Sequence, residues 1–129
     1  MSHLLDTHTL LWAMTDPERL GSEARRIIAD RGSTLFASAA SAWEIATKQR
    51  LGKLPQADVL VAGYARHLDR LGVRRLGIDE HQALLAGSLQ WSHRDPFDRM
   101  LAAQAMLESL TLLTDDSAFA ELPGLATLW

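Results

Sequence analysis

No cysteine occurs among the 129 residues, which excludes disulfides, thiolate catalysis and any cysteine-based zinc or iron–sulfur centre. That absence fits a reducing compartment. No apolar run approaches the roughly 20 residues needed to cross a bilayer, and the opening MSHLLDTH lacks the build of a signal peptide. The expectation is a cytoplasmic protein without a membrane partner. An excess of basic residues is missing too: the formal net charge of −3 argues against a globally basic nucleic-acid binder and leaves room only for a local basic surface. Repeats, low-complexity tracts and Pro/Gly/Ser linkers are absent, so residues 1–129 read as one domain with a real core. No HxxxH or similar metal spacing appears, and His8, His81 and His93 read as structural or surface residues rather than bases.

What is present is an alternation. Short apolar runs at 2–6, 33–37, 73–78, 109–114 and 125–129 have the length of buried strands. Between them lie helical patterns at 7–14, 22–32, 38–54, 56–71, 79–89 and from Pro96 onward. Ser22 reads as a helix cap and Gly32 as a stop, while Ala39, Ala42, Trp43 and Ala46 form the apparent apolar face of 38–54. Trp43 is expected in the core, and Trp12 and Trp129 in the core or an interface. The order β-α-β-α-β-α-β-(α)-β predicts an α/β protein with a parallel sheet, right-handed crossovers and helices on both faces.

One aspartate does not fit a purely structural reading. In HRDPFDRMLAAQA (93–105), Asp95 before Pro96 is a helix cap. Asp98, however, heads the stripe Leu101, Ala102, Ala105 and Met106, an apolar face on which an unpaired carboxylate is costly. It needs a partner, a metal or a proton. Parallel strands place their C-terminal ends along one edge, where ligand sites form. Asp6 closes the first strand, Asp115 and Asp116 follow LTLLT, and Glu44 lies early in the helix after strand two. Each has a plainer reading: Asp6 and one of Asp115 and Asp116 as caps, Asp98 as a helix-dipole partner, Glu44 as half of a surface pair with Lys48. Together they say more. Two carboxylates about 4 Å apart repel by roughly 4 kcal/mol at an effective dielectric near 20. A cluster therefore needs protons or a cation, and oxygen-only ligation suits Mg²⁺ or Mn²⁺, the ions that activate water against a phosphodiester.

LLDTHTLLW (4–12), SAWEIATK (41–48), HRDPFDRMLAAQA (93–105) and LLTDD (112–116) resemble the PIN-domain ribonucleases, and among them the VapC-type toxins of toxin–antitoxin pairs. The resemblance spans nearly the whole chain, with the motifs in family order. It implies a three-layer α/β/α fold with a parallel sheet of about five strands in order 3-2-1-4-5. It further implies Mg²⁺-dependent endoribonuclease activity, homodimerisation and inhibition by a VapB-like antitoxin. The family's acids fall on Asp6, Glu44, Asp98 and Asp116, with Asp115 as the alternative to Asp116. Asp6 and Asp98 would hold the principal metal, with Glu44 and Asp116 as further ligands, and Thr7 and Thr114 would orient neighbouring carboxylates. Lys48, Arg50, Lys53, Arg94 and Arg99 are the candidate phosphate contacts on RNA, each with an ordinary solvated charge as the alternative. A scaffold of this fold that binds without cleaving competes with this reading. A phosphoacceptor receiver domain fits less well, because strand one offers a single acid and VRRLGI ends without one. A haloacid-dehalogenase-type phosphatase would need DxD where Asp6-Thr7-His8 stands.

Overall fold

In the computed structural model, which describes residues 1–55 and 57–129, the short apolar runs become five parallel strands. They are β1 (Ser2–Leu5), β2 (Thr34–Ser38), β3 (Val73–Leu76), β4 (Thr111–Leu113) and β5 (Thr127–Leu128), in the order β3-β2-β1-β4-β5. β1 is central, with Leu4 and Leu5 opposite Phe36 and Ala37 of β2 on one side and Leu112 and Leu113 of β4 on the other. A central parallel strand is covered on both faces and so has no polar side to show. Leu4 and Leu5 point to opposite faces, and both are 0% exposed.

Seven α-helices join the strands among the described residues: α1 (Thr7–Thr15), α2 (Ser22–Ala29), α3 (Ala39–Arg50), α4 (Ala57–Ala62), α5 (Tyr64–Leu71), α6 (Glu80–Ser88) and α7 (Pro96–Leu107). The two faces of the sheet carry separate cores. On one, Leu101, Ala102 and Ala105 of α7 pack with Leu4, Leu112 and Phe119. On the other, Leu10 of α1, Ile27 of α2 and Leu68 of α5 pack with Leu5, Leu35 and Leu113. The result is an α/β/α sandwich.

Several boundaries move from the sequence expectation. The helix expected over 56–71 is two helices meeting at Gly63, the weakest helix former in the stretch; Gln56 lies outside the described residues. α2 ends at Ala29, short of Gly32, and Ser22 is its first helical residue rather than its cap. Gly21 holds the cap position, where a Cβ would come within 2.6 Å of the Trp129 ring and 2.7 Å of its backbone carbon. Packing against another part of the chain therefore decides that residue, beyond the reach of a local capping rule. Trp129 packs on Trp12 with ring centroids 5.7 Å apart, and both are half-buried.

Candidate active site

Strands β2, β1 and β4 end side by side, and the residues that leave them build the site. Asp6 follows β1 directly. Its Oδ1 accepts from the backbone N–H of His8 at 3.3 Å, the capping bond for α1, and its Oδ2 accepts from the Thr114 hydroxyl at 2.6 Å. Asp6 is thus both a cap and a buried acid, with 4% exposure. Burial pushes its carboxyl above the usual range; the bonds from Thr114 and His8 oppose that, and the charge of Glu44 adds to it.

Glu44 arrives on α3, which starts where the Ser38 hydroxyl accepts from the Ala40 N–H at 2.9 Å. The buried side of this helix is Ala40, Ser41, Glu44 and Ile45. The expected apolar face was the wrong one: Trp43 is 61% exposed and stands edge-on to Phe97, with centroids 4.7 Å apart. Small residues turn inward because α3 lies close to α1, where the Ser41 and Thr7 hydroxyls meet at 2.9 Å. Glu44 is carried in with them. Lys48 Nζ donates to its Oε2 at 2.6 Å, while Oε1 is buried without a partner among the described residues. The pair with Lys48 exists, but its acid is not on the surface.

Asp98 enters on α7. The cap is Asp95, whose Oδ1 accepts from the N–H groups of Phe97 at 2.8 Å and Asp98 at 3.2 Å. Asp98 is therefore not needed as a cap. Its side chain is 15% exposed, and its Oδ2 pairs with His93 Nε2 at 2.7 Å. Burial pushes its carboxyl up to about 6; His93 lowers it, and the charges of Asp95, Asp6 and Glu44 raise it. Asp6, Glu44 and Asp98, remote in sequence and carried by three elements, share one electrostatic environment.

Asp116 is placed differently. It is exposed and caps the 3-10 turn Ser117–Glu121, accepting from the Ala118 N–H at 2.9 Å. Its own N–H donates to Thr114 Oγ1 at 3.0 Å, so one hydroxyl links it to Asp6. Asp115 beside it is also exposed. Among the described residues no three acidic or histidine side chains converge into a ready-made metal cage. Yet the donors suit a hard cation: oxygen ligands only, two carboxyls whose charge is resisted by burial, and the orphaned Glu44 Oε1. Mg²⁺ keeps several waters and takes one or two carboxylates, so it does not require a closed cage.

Other assignments change. Thr7 bonds Ser41 rather than a carboxylate, whereas Thr114 does orient Asp6. Arg99 is largely committed elsewhere, because its guanidinium donates to the carbonyls of Ala86, Leu89, Trp91 and His93. Lys48 is engaged with Glu44, and Arg50, Lys53 and Arg94 are exposed. No sequence spacing marks His93 as a partner of the acids, because its bond to Asp98 spans the start of a helix, where no periodicity applies.

Comparison with known proteins follows the same lines. The model of the family described as PIN domain matches residues 3–125. Ribonuclease VapC16 of Mycobacterium tuberculosis is 40% identical over 58 residues, 45% of this chain and 41% of that protein, so the match spans under half of the relative's length. Among solved structures, VapBC2 from Rickettsia felis bound to a DNA fragment from its promoter superposes with a TM-score of 0.74 at 17% identity, covering 99% of this chain and 98% of that one. DNA-bound VapBC from Salmonella typhimurium gives 0.70 at 18% identity, covering 99% and 97%. FitAcB from Neisseria gonorrhoeae gives 0.66 at 21% identity, covering 100% and 97%. At such identities these likenesses speak for the fold.

Proposed function

This chain belongs to the PIN-domain family, and from that premise we propose that it is a metal-dependent endoribonuclease, the toxin of a toxin–antitoxin pair. The observation that carries the reading is that Asp6, Glu44 and Asp98, brought in by three elements, lie near enough for their charges to bear on one another, two of them with raised affinity for protons and the third with an orphaned oxygen. Asp6 and Asp98 would hold a Mg²⁺ or Mn²⁺ ion, with Glu44 and Asp116 completing its surroundings directly or through water. Such an ion, when bound, lowers the pKa of a water and stabilises charge on a phosphodiester.

The chain's own residues prepare for that chemistry. Thr114 fixes one oxygen of Asp6 and His93 one oxygen of Asp98. Burial keeps solvent from screening the acids. The exposed Arg50, Lys53 and Arg94 would meet RNA phosphates, so affinity should fall steeply with salt. The residues act as one PIN domain, in a cytoplasm where RNA is present and where a cysteine-free chain needs no oxidant. The name of ribonuclease VapC16 supports an RNA substrate, and those of the VapBC complexes a VapB-like antitoxin as partner; the working form would be a homodimer.

The test is cleavage of a mixed, structured RNA pool by purified protein with Mg²⁺ or Mn²⁺, with EDTA, Asp6→Asn and Asp98→Asn as controls. Cleavage lost in all three controls is the expected result. If the wild type leaves the pool intact while binding it undiminished after Asp6→Asn, the protein is a binding scaffold and the nuclease reading fails.

A further inference from the structure

We propose that Arg99 and His93 form a positioning relay for the acid site: the guanidinium fixes the loop after α6, and the loop holds His93 against one oxygen of Asp98. The inference rests on reading that site as a metal-dependent one and adds to it residues that would touch neither metal nor substrate.

The loop over residues 89–95 contains no helix or strand. A segment of that kind wanders unless something ties it down. Here the tie is a single side chain from α7. Arg99 Nε donates to Ala86 O at 2.8 Å, Nη2 to Leu89 O at 2.7 Å, and Nη1 to Trp91 O at 3.0 Å and His93 O at 2.9 Å. Ala86 lies in the last turn of α6, where carbonyls lack helical partners and a cation is favoured. Only a planar fork can reach four carbonyls spread from the last turn of α6 along the loop; an ammonium group is a point donor.

The fastened loop is also packed. The Trp91 ring lies 5.6 Å from Phe119, a fully buried core residue, and 4.8 Å from the His93 ring. Trp91 thus gives His93 a wall, Arg99 fixes its backbone, and its Nε2 meets Asp98 Oδ2 at 2.7 Å. Among the described residues Oδ1 of Asp98 takes no hydrogen bond. One carboxylate oxygen is committed and the other is left for a ligand, which is how an outer partner sets the orientation of a metal-binding acid. Arg99 follows Asp98 in sequence, so a single helical turn carries both the acid and the anchor of the loop that orients it.

The experiment compares wild type with Arg99→Lys, which keeps the charge but loses the fork, and His93→Phe, which keeps the stacking wall but loses the ring nitrogen. Mn²⁺ affinity is read directly from the free-ion resonance signal, alongside thermal melts in EDTA. Both variants should bind Mn²⁺ roughly 10–100-fold more weakly, and the double variant no more weakly than the worse single one, because the two act in series. If Arg99→Lys lowers the melting temperature but the folded protein keeps its Mn²⁺ affinity, Arg99 is only structural and the relay is wrong. Should that variant fail to fold, His93→Phe decides alone: unchanged Mn²⁺ affinity overturns the proposal. A wild type that binds no Mn²⁺ fails at an earlier point, refuting the metal site and the relay with it.

Discussion

Replacing Asp98 by Asn should make the metal-free protein more stable while abolishing its activity. The carboxyl is raised from 3.8 to about 6, first by burial and then by neighbouring acids. That is about two pH units, or about 3 kcal/mol of resistance to the charged form at 1.36 kcal/mol per unit. Asn removes the charge and keeps a hydrogen bond to His93; the bond His93 makes to the carboxylate is already counted in that shift. The gain at neutral pH is therefore about 3 kcal/mol, equivalent to a rise in Tm of about 10 °C for a domain of this size. The sign follows from linkage: a raised carboxyl favours the folded state while protonated, so the wild type loses stability as pH rises from about 4 to about 6. The advantage of Asp98→Asn should therefore be near zero at pH 4, grow to pH 6 and stay level above it. Urea melts in EDTA across pH 4–8 measure this. An Asn variant less stable than wild type at pH 7, or a difference that ignores pH, would refute the account of a charge held against its will. Adding Mg²⁺ should reverse the order, since a ligand of the native state stabilises only the protein that binds it.

Two further predictions concern stability away from the site. His3 is 4% exposed, and neither ring nitrogen has a partner among the described residues; burial lowers its pKa below 6.5, helped by the terminal amine and Arg26. The unfolded chain then takes up the proton first, so His3 costs stability as pH falls below about 6.5; His3→Leu should leave the urea midpoint at pH 8 unchanged or higher and flatten its fall toward pH 5. This slope runs opposite to that of Asp98, so each is read as a difference from wild type. Gly21→Ala should cost about 1–3 kcal/mol through overlap with Trp129, visible as a lower Tm and altered tryptophan emission; an unchanged melt would show that Trp129 yields freely.

What the sequence disclosed, it disclosed where local pattern and tertiary environment agree. Strands buried on both faces read as apolar runs, so the α/β alternation was plain, and the sheet order followed from the family likeness. Asp98 stood out because a carboxylate interrupts an apolar stripe on a helix of regular period. The face of α3 misled for the opposite reason. Trp43 dominates any hydrophobic reading of that helix, but the buried side carries Ala40 and Ser41, and it is the small Ser41 that meets Thr7 of α1. Arg99 shows a second limit: a cation beside an acidic site suggests phosphate, and only the course of the loop reveals that its donors are spent on carbonyls. The choice between Asp115 and Asp116 is a shift of one residue, which composition does not see; the link through Thr114 favours Asp116 as the one joined to Asp6.

The two outer strands have a consequence for how copies of the protein meet. β5 is two residues long, and β3 carries consecutive exposed arginines, Arg74 and Arg75, the latter paired with Asp69 at 2.6 Å. Short edges and charged edges are poor templates for strand addition. The sheet therefore stops at five, protected from edge-to-edge aggregation, and association with a second chain is turned toward the helical faces.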